Sequence, residues 1–136
     1  MKTIEKRAAK CRAIERHLLR VEAMLPRERE ALVPMSDASD AVTLHLWQAV
    51  QLCIDLAVQE CVTRGLGSPQ DYAGAFRALA GAGIVPAHVA ERLVRAVGFR
   101  NVIAHGYEGL DLDALWAAAV EGPTDLRAFV AAIAKA

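Results

Sequence analysis

The side chains best suited to acid/base work on a phosphate stand close together in one short run. Phe99, Arg100, Asn101, Val102, Ile103, Ala104, His105, Gly106 and Tyr107 follow one another, bringing an arginine, an asparagine, a histidine and a tyrosine into nine residues. Arginine offers a charged fork to phosphate oxygens and histidine titrates near neutrality, while asparagine and tyrosine orient oxygens by hydrogen bonding. These are the groups a ribonuclease would need. A ribose hydroxyl beside a phosphate becomes nucleophilic when a base takes its proton, and positive charge stabilises the crowded phosphorane that follows. The other histidines, His17, His45 and His88, share no short ligand spacing with His105. Acid/base chemistry without a metal, and without a cofactor, is therefore the economical expectation.

Spacing complicates this. Arg100 and His105 are five residues apart, so on a regular helix they point about 140 degrees away from each other. Either the helix breaks near Gly106 and turns His105 inward, or two copies of the chain meet and share a cleft.

The elements that must position these residues are legible from apolar periodicity. Ile4, Ala8, Cys11, Ile14, Leu18, Val21 and Leu25 recur at helical spacing until Pro26 ends the first helix. Residues 26–40 read as a connection with one short helical turn, closing on a cap among Ser36, Asp37 and Ser39. Leu44, Trp47, Ile54, Val58 and Cys61 carry a long second helix to Gly65, with His45, Gln48, Asp55 and Gln59 as a polar stripe that faces either water or a groove. Ser68 before Pro69 predicts the cap of a third helix bearing Phe76 and Leu79. A fourth starts at Val85 and Pro86, carries Val89, Leu93 and Val97, and stops at Gly106. Asp111 caps a fifth, which Gly122 and Pro123 are expected to break before a last helix with Leu126, Phe129 and Ile133. The expectation is an all-α, single-domain antiparallel bundle of five to six helices over residues 1–136.

Composition agrees. With 54% apolar residues and few aromatics, 136 residues suffice for one helical core. Cys11, Cys53 and Cys61 lack paired spacing and read as buried free thiols, which suit a reducing compartment. The N-terminal run is charged rather than apolar, and no apolar run looks long enough to cross a bilayer, so a cytoplasmic protein is expected. Net charge is zero, yet residues 1–30 hold nine Lys or Arg against five Glu. Lys2, Lys6 and Lys10, and separately Arg12, Arg16 and Arg20, recur every four residues, which makes either a footprint for phosphates or an ordinary solvated face.

The run from Phe99 to Tyr107 resembles the signature of HEPN domains in the form found in HepT toxins of HepT/MntA toxin-antitoxin systems: arginine, four residues, histidine, one residue, tyrosine. The stretch Trp47 to Val58, with its Cys-Ile-Asp-Leu-Ala centre, and the stretch from Pro69 through Phe76, Leu79, Gly83 and Ile84 also resemble that family. The resemblance implies a metal-independent endoribonuclease, active as a homodimer with the two motifs facing each other. Carried over, Arg100 binds and stabilises the phosphate, Asn101 holds the motif, and His105 is the acid/base. Tyr107 becomes the acceptor of AMP from a minimal nucleotidyltransferase antitoxin, and Asp55 the buried polar partner that orients Arg100.

Structural accounts compete for each residue. Arg100 also fits an ordinary ion-pair residue of the bundle, His105 a helix C-terminal cap, and Tyr107 an interface aromatic, each a weaker reading than the functional one. Two other functions compete as well: a catalytically inactive substrate-binding subunit of a nucleotidyltransferase, and a structural dimer without nucleotide chemistry.

Overall fold

The computed structural model describes residues 2–105 and 111–136, with side chains from Thr3 to Asn101 and from Asp111 onward. Among the described residues five helices follow in order: α1 (Lys2–Met24), α2 (Asp37–Thr63), α3 (Tyr72–Gly81), α4 (Ala87–His105) and α5 (Leu112–Lys135), with a 3-10 turn at Arg29–Ala31. The described residues contain no strand. The all-α class holds, with five long elements.

Helix α2 is the axis of the bundle and packs against all four others. Its start is fixed by Ser36, whose hydroxyl accepts from the Ser39 N–H while the Ser39 side chain accepts from the Ser36 N–H, satisfying two donors a helix end otherwise leaves open. Leu46, Val50, Cys53, Ile54, Ala57 and Cys61 are buried along it. Contrary to the sequence expectation, α2 is long and apolar enough to cross a membrane, but half of its most apolar window is buried against the other helices. The fully buried Glu60 marks it as a core helix, since its carboxylate takes two hydrogen bonds from Arg7, at 3.0 and 3.1 Å, and one from Arg64 at 2.9 Å. A buried carboxylate needs such compensation.

The core divides into two clusters. One gathers side chains from all five helices, with Phe76 and Phe129 edge to face at 5.2 Å; each such buried side chain stabilises the fold by about 1.5–3 kcal/mol. The other groups Val21, Leu32, Val42, Leu46, Leu115 and Ala119.

That division explains a departure from expectation at Pro123. Helix α5 runs unbroken through Gly122 and Pro123, although an interior proline costs about 3 kcal/mol. Leu115 and Ala119 anchor one side in the second cluster, while Leu126, Phe129 and Ile133 anchor the other in the first. Breaking the helix would release one set. Gly122 faces α2, where a Cβ would stand 3.4 Å from the Leu46 Cδ1, an ordinary van der Waals contact.

The start of α3 differs too. Asp71, not Ser68, is the cap: its Oδ1 accepts from the Gly74 N–H at 2.6 Å. Starting at Pro69 would order Gln70 and Asp71 in a helix without giving the core an apolar side chain. Ile4 and Leu44, expected on apolar faces, are exposed at 62% and 54%.

His17 of α1 and His45 of α2 place their Nδ1 atoms 3.0 Å apart. Burial, then the charges of His45 and Arg16, hold the His17 pKa below its ordinary 6.5. A depressed folded pKa means that the folded state binds fewer protons than the unfolded chain, so this contribution is complete above the unfolded value and is lost as pH falls through the folded one. The melting temperature is expected to drop between about pH 7.5 and pH 5, and His17→Gln to flatten that drop. Identical slopes in thermal melts of the two proteins would remove the pair from the acid response.

Candidate active site

Arg100 lies near the C-terminal end of α4, half-buried against the start of α3 and the middle of α2. Its Nη2 donates to the Gln51 Oε1 at 2.6 Å and its Nη1 to the Asn101 Oδ1 at 2.9 Å. The guanidinium carbon lies 5.3 Å from the Trp47 ring centre and 5.7 Å from that of Tyr72, both within cation–π range. Its Nε is buried without a hydrogen-bond partner among the described residues.

All of these partners are neutral. Arg7, Arg29, Arg64, Arg77, Arg92 and Arg127 each contact a carboxylate, whereas Arg100 meets none among the described residues. The ion-pair account of Arg100 therefore has no carboxylate to rest on there. Among the described residues its charge is oriented but not neutralised, which is what binding a phosphate requires.

Asp55 departs from its expected role. It is exposed rather than buried, and it reaches Arg100 only through Gln51, whose Nε2 donates to the Asp55 Oδ1 at 3.0 Å. That bond fixes the amide so that its oxygen faces Arg100. Gln51 thus transmits orientation while keeping the carboxylate off the guanidinium. Gln51, Trp47 and Tyr72 were not recognisable as site residues from the motif, though Trp47, Gln51 and Asp55 follow at four-residue steps along one ridge of α2.

The polar stripe expected on α2 divides between two environments. His45 pairs with His17, and Gln59 accepts from Lys10 at 2.9 Å, so these two face α1. The uncovered line of α2 instead carries Leu44, Gln48, Gln51, Asp55 and Val62, with Leu44 and Val62 more than half exposed. Arg100 borders this line. It does not line the 510 Å³ groove between α4 and α5, where Arg92 donates to Asp125 at 2.8 Å beside Ala96 and Phe99.

The backbone of α4 continues as helix through His105. The His105 side chain and all of Tyr107 lie outside the described residues, so their expected roles are not placed by this geometry.

Comparison with known proteins fits the arrangement. The chain is 34% identical over 74 residues to the mRNA nuclease HepT of Shewanella oneidensis, a match spanning 54% of this chain and 56% of that relative. The fold is similar to that of a tri-AMPylated HEPN toxin of Shewanella oneidensis solved in complex with MNT antitoxin: TM-score 0.87, 24% identity, 96% of this chain and 97% of the other. A mutant MntA–HpeT toxin-antitoxin structure superposes with a TM-score of 0.85 at 25% identity, covering 96% and 98%. The family model described as Ribonuclease HepT-like matches residues 14–133, nearly the whole bundle together with the Arg100–Tyr107 run, and the chain belongs to that family.

Proposed function

We propose that this chain is the toxin of a toxin-antitoxin pair, a cytoplasmic, metal-independent endoribonuclease whose active site is completed by a second copy of itself. The observation that carries this reading is Arg100, which the described residues hold through Gln51, Asn101 and two aromatic rings without neutralising it. His105 takes the proton from a ribose 2′-hydroxyl, the 2′-oxygen bonds to phosphorus, and the bond from phosphorus to the 5′-oxygen breaks as that oxygen gains a proton. Arg100 stabilises the added negative charge. Asn101 holds the guanidinium in register.

Homodimerisation is supported by the course of α4. The helix reaches His105, and five residues along a regular helix turn a histidine about 140 degrees away from the arginine, which supports two copies each lending one group to the other's site. The exposed line from Leu44 to Val62, bordered by Arg100, is the face on which the copies meet. A cognate MntA-like nucleotidyltransferase antitoxin neutralises the toxin by transferring AMP to Tyr107.

The deciding experiment is cleavage of single-stranded RNA by the purified chain in the presence of a chelator, beside Gln51→Glu. Wild type is expected to cut. The glutamate keeps the shape of Gln51 but sets a carboxylate against Arg100, and a fall in rate of about tenfold or more, with an unchanged melting temperature, is expected. RNA binding without cleavage by wild type would favour the substrate-binding subunit of a nucleotidyltransferase instead.

A further inference from the structure

Tyr72 is the first residue of α3, directly after the capping Asp71, and is 41% exposed. An aromatic ring left in water at a helix start contributes little to the core, and this one stands 5.7 Å from the Arg100 guanidinium. Trp47 approaches the same guanidinium at 5.3 Å and is the more deeply set of the two rings. Trp47 and Gln51 contact the Arg100 guanidinium as well, so Tyr72 is not its sole support. Tyr72 presents its remaining surface outward, beside a charge that the described residues do not neutralise.

We propose that Tyr72 is a stacking platform for a nucleobase of single-stranded RNA, seated so that the phosphate of the same strand falls on Arg100. The assignment rests on the ribonuclease reading and adds a base-binding subsite to it. Stacking on an aromatic side chain tolerates any base, because every base has a π-face. The subsite therefore selects unpaired RNA over duplex without reading sequence. Bases locked in a helix cannot be laid on Tyr72, so loops and single strands are the expected substrates.

The test uses the full chain and a single-stranded RNA carrying 2-aminopurine beside the cleavage position, with a 2′-deoxy sugar there so that binding is read without cutting. An all-ribose strand is cut in parallel. Wild type and Tyr72→Phe are expected to quench the fluorophore equally. Tyr72→Leu is expected to lose the quenching and to bind roughly 5- to 100-fold more weakly, raising KM more than it lowers kcat. Tyr72→Leu that still quenches and binds as wild type, or that loses kcat alone, overturns the platform and makes the tyrosine a prop for Arg100. So does a Tyr72→Leu chain that keeps its RNA affinity and loses only its nucleotidyltransferase partner. Quenching by a wild-type chain that does not cut the ribose strand would uphold the platform while removing the ribonuclease reading; a wild type that neither binds nor cuts removes both.

Discussion

Replacing His105 by alanine is expected to lower RNA cleavage by about two to four decades, the usual contribution of a general acid/base, and to relieve growth inhibition when the chain is expressed alone in a bacterial host. The fold should survive, because the backbone at His105 is the last turn of α4 and alanine is the stronger helix former. The composite site adds a sharper arm. Arg100→Ala and His105→Ala chains, each inactive alone, should recover cleavage when co-expressed, since a mixed dimer unites an intact arginine from one copy with an intact histidine from the other. Single-copy catalysis predicts no recovery. Undiminished toxicity of His105→Ala, with the protein folded by circular dichroism, would place the chemistry elsewhere.

Much of this architecture is legible from sequence because helix signals are local. Asp111 fulfils its predicted cap role, accepting from the Asp113 and Ala114 N–H groups, the cap expected in the Ser36/Asp37/Ser39 cluster is Ser36, and the buried Ile14, Leu18, Val21, Phe76, Leu79, Leu93 and Phe129 follow the expected periodicity. The misreadings occur where tertiary packing overrides a local rule. Proline is a helix breaker when its segment has little else to hold it, but Pro123 sits between two stretches of α5 that are each anchored in a core cluster. Asp71 outcompetes Ser68 because an earlier start would order Gln70 and Asp71 without adding an apolar side chain to the Ala75, Phe76 and Leu79 already buried.

The site was legible as a motif but not as an environment. Arg100 and Asn101 announce themselves by type and spacing, whereas Gln51 stands 49 positions away from Arg100 along the chain and is marked only by its four-residue step from Trp47 and to Asp55. The family resemblance points to Asp55 as the buried partner of Arg100, and its carboxylate is instead exposed and bonded to Gln51. The geometry shows why a neutral intermediary matters: a carboxylate bonded directly to Arg100 would occupy the same fork that a phosphate needs. Sequence alone does not distinguish these arrangements, since a one-turn shift along α2 exchanges an amide for an acid.

The Arg100 charge, which the described residues do not neutralise, governs the expected outcome at Tyr107. Co-expression with the nucleotidyltransferase should raise the intact mass of the wild-type chain by one or more adenylate units. Each adenylate brings a negative phosphate two residues beyond His105, and that phosphate competes with substrate for the Arg100 fork. Neutralisation is then local electrostatics and bulk rather than unfolding, so the modified chain should keep its melting temperature while losing cleavage. Tyr107→Phe removes the acceptor oxygen and keeps the ring. It is expected to gain no adenylate mass, to cut RNA as wild type does, and to remain toxic in the presence of the antitoxin. A Tyr107→Phe chain that still gains adenylate mass would move the acceptor to another residue. An unmodified wild-type chain silenced by its partner would make inhibition a matter of binding, with the partner covering Arg100 instead of placing a phosphate on it.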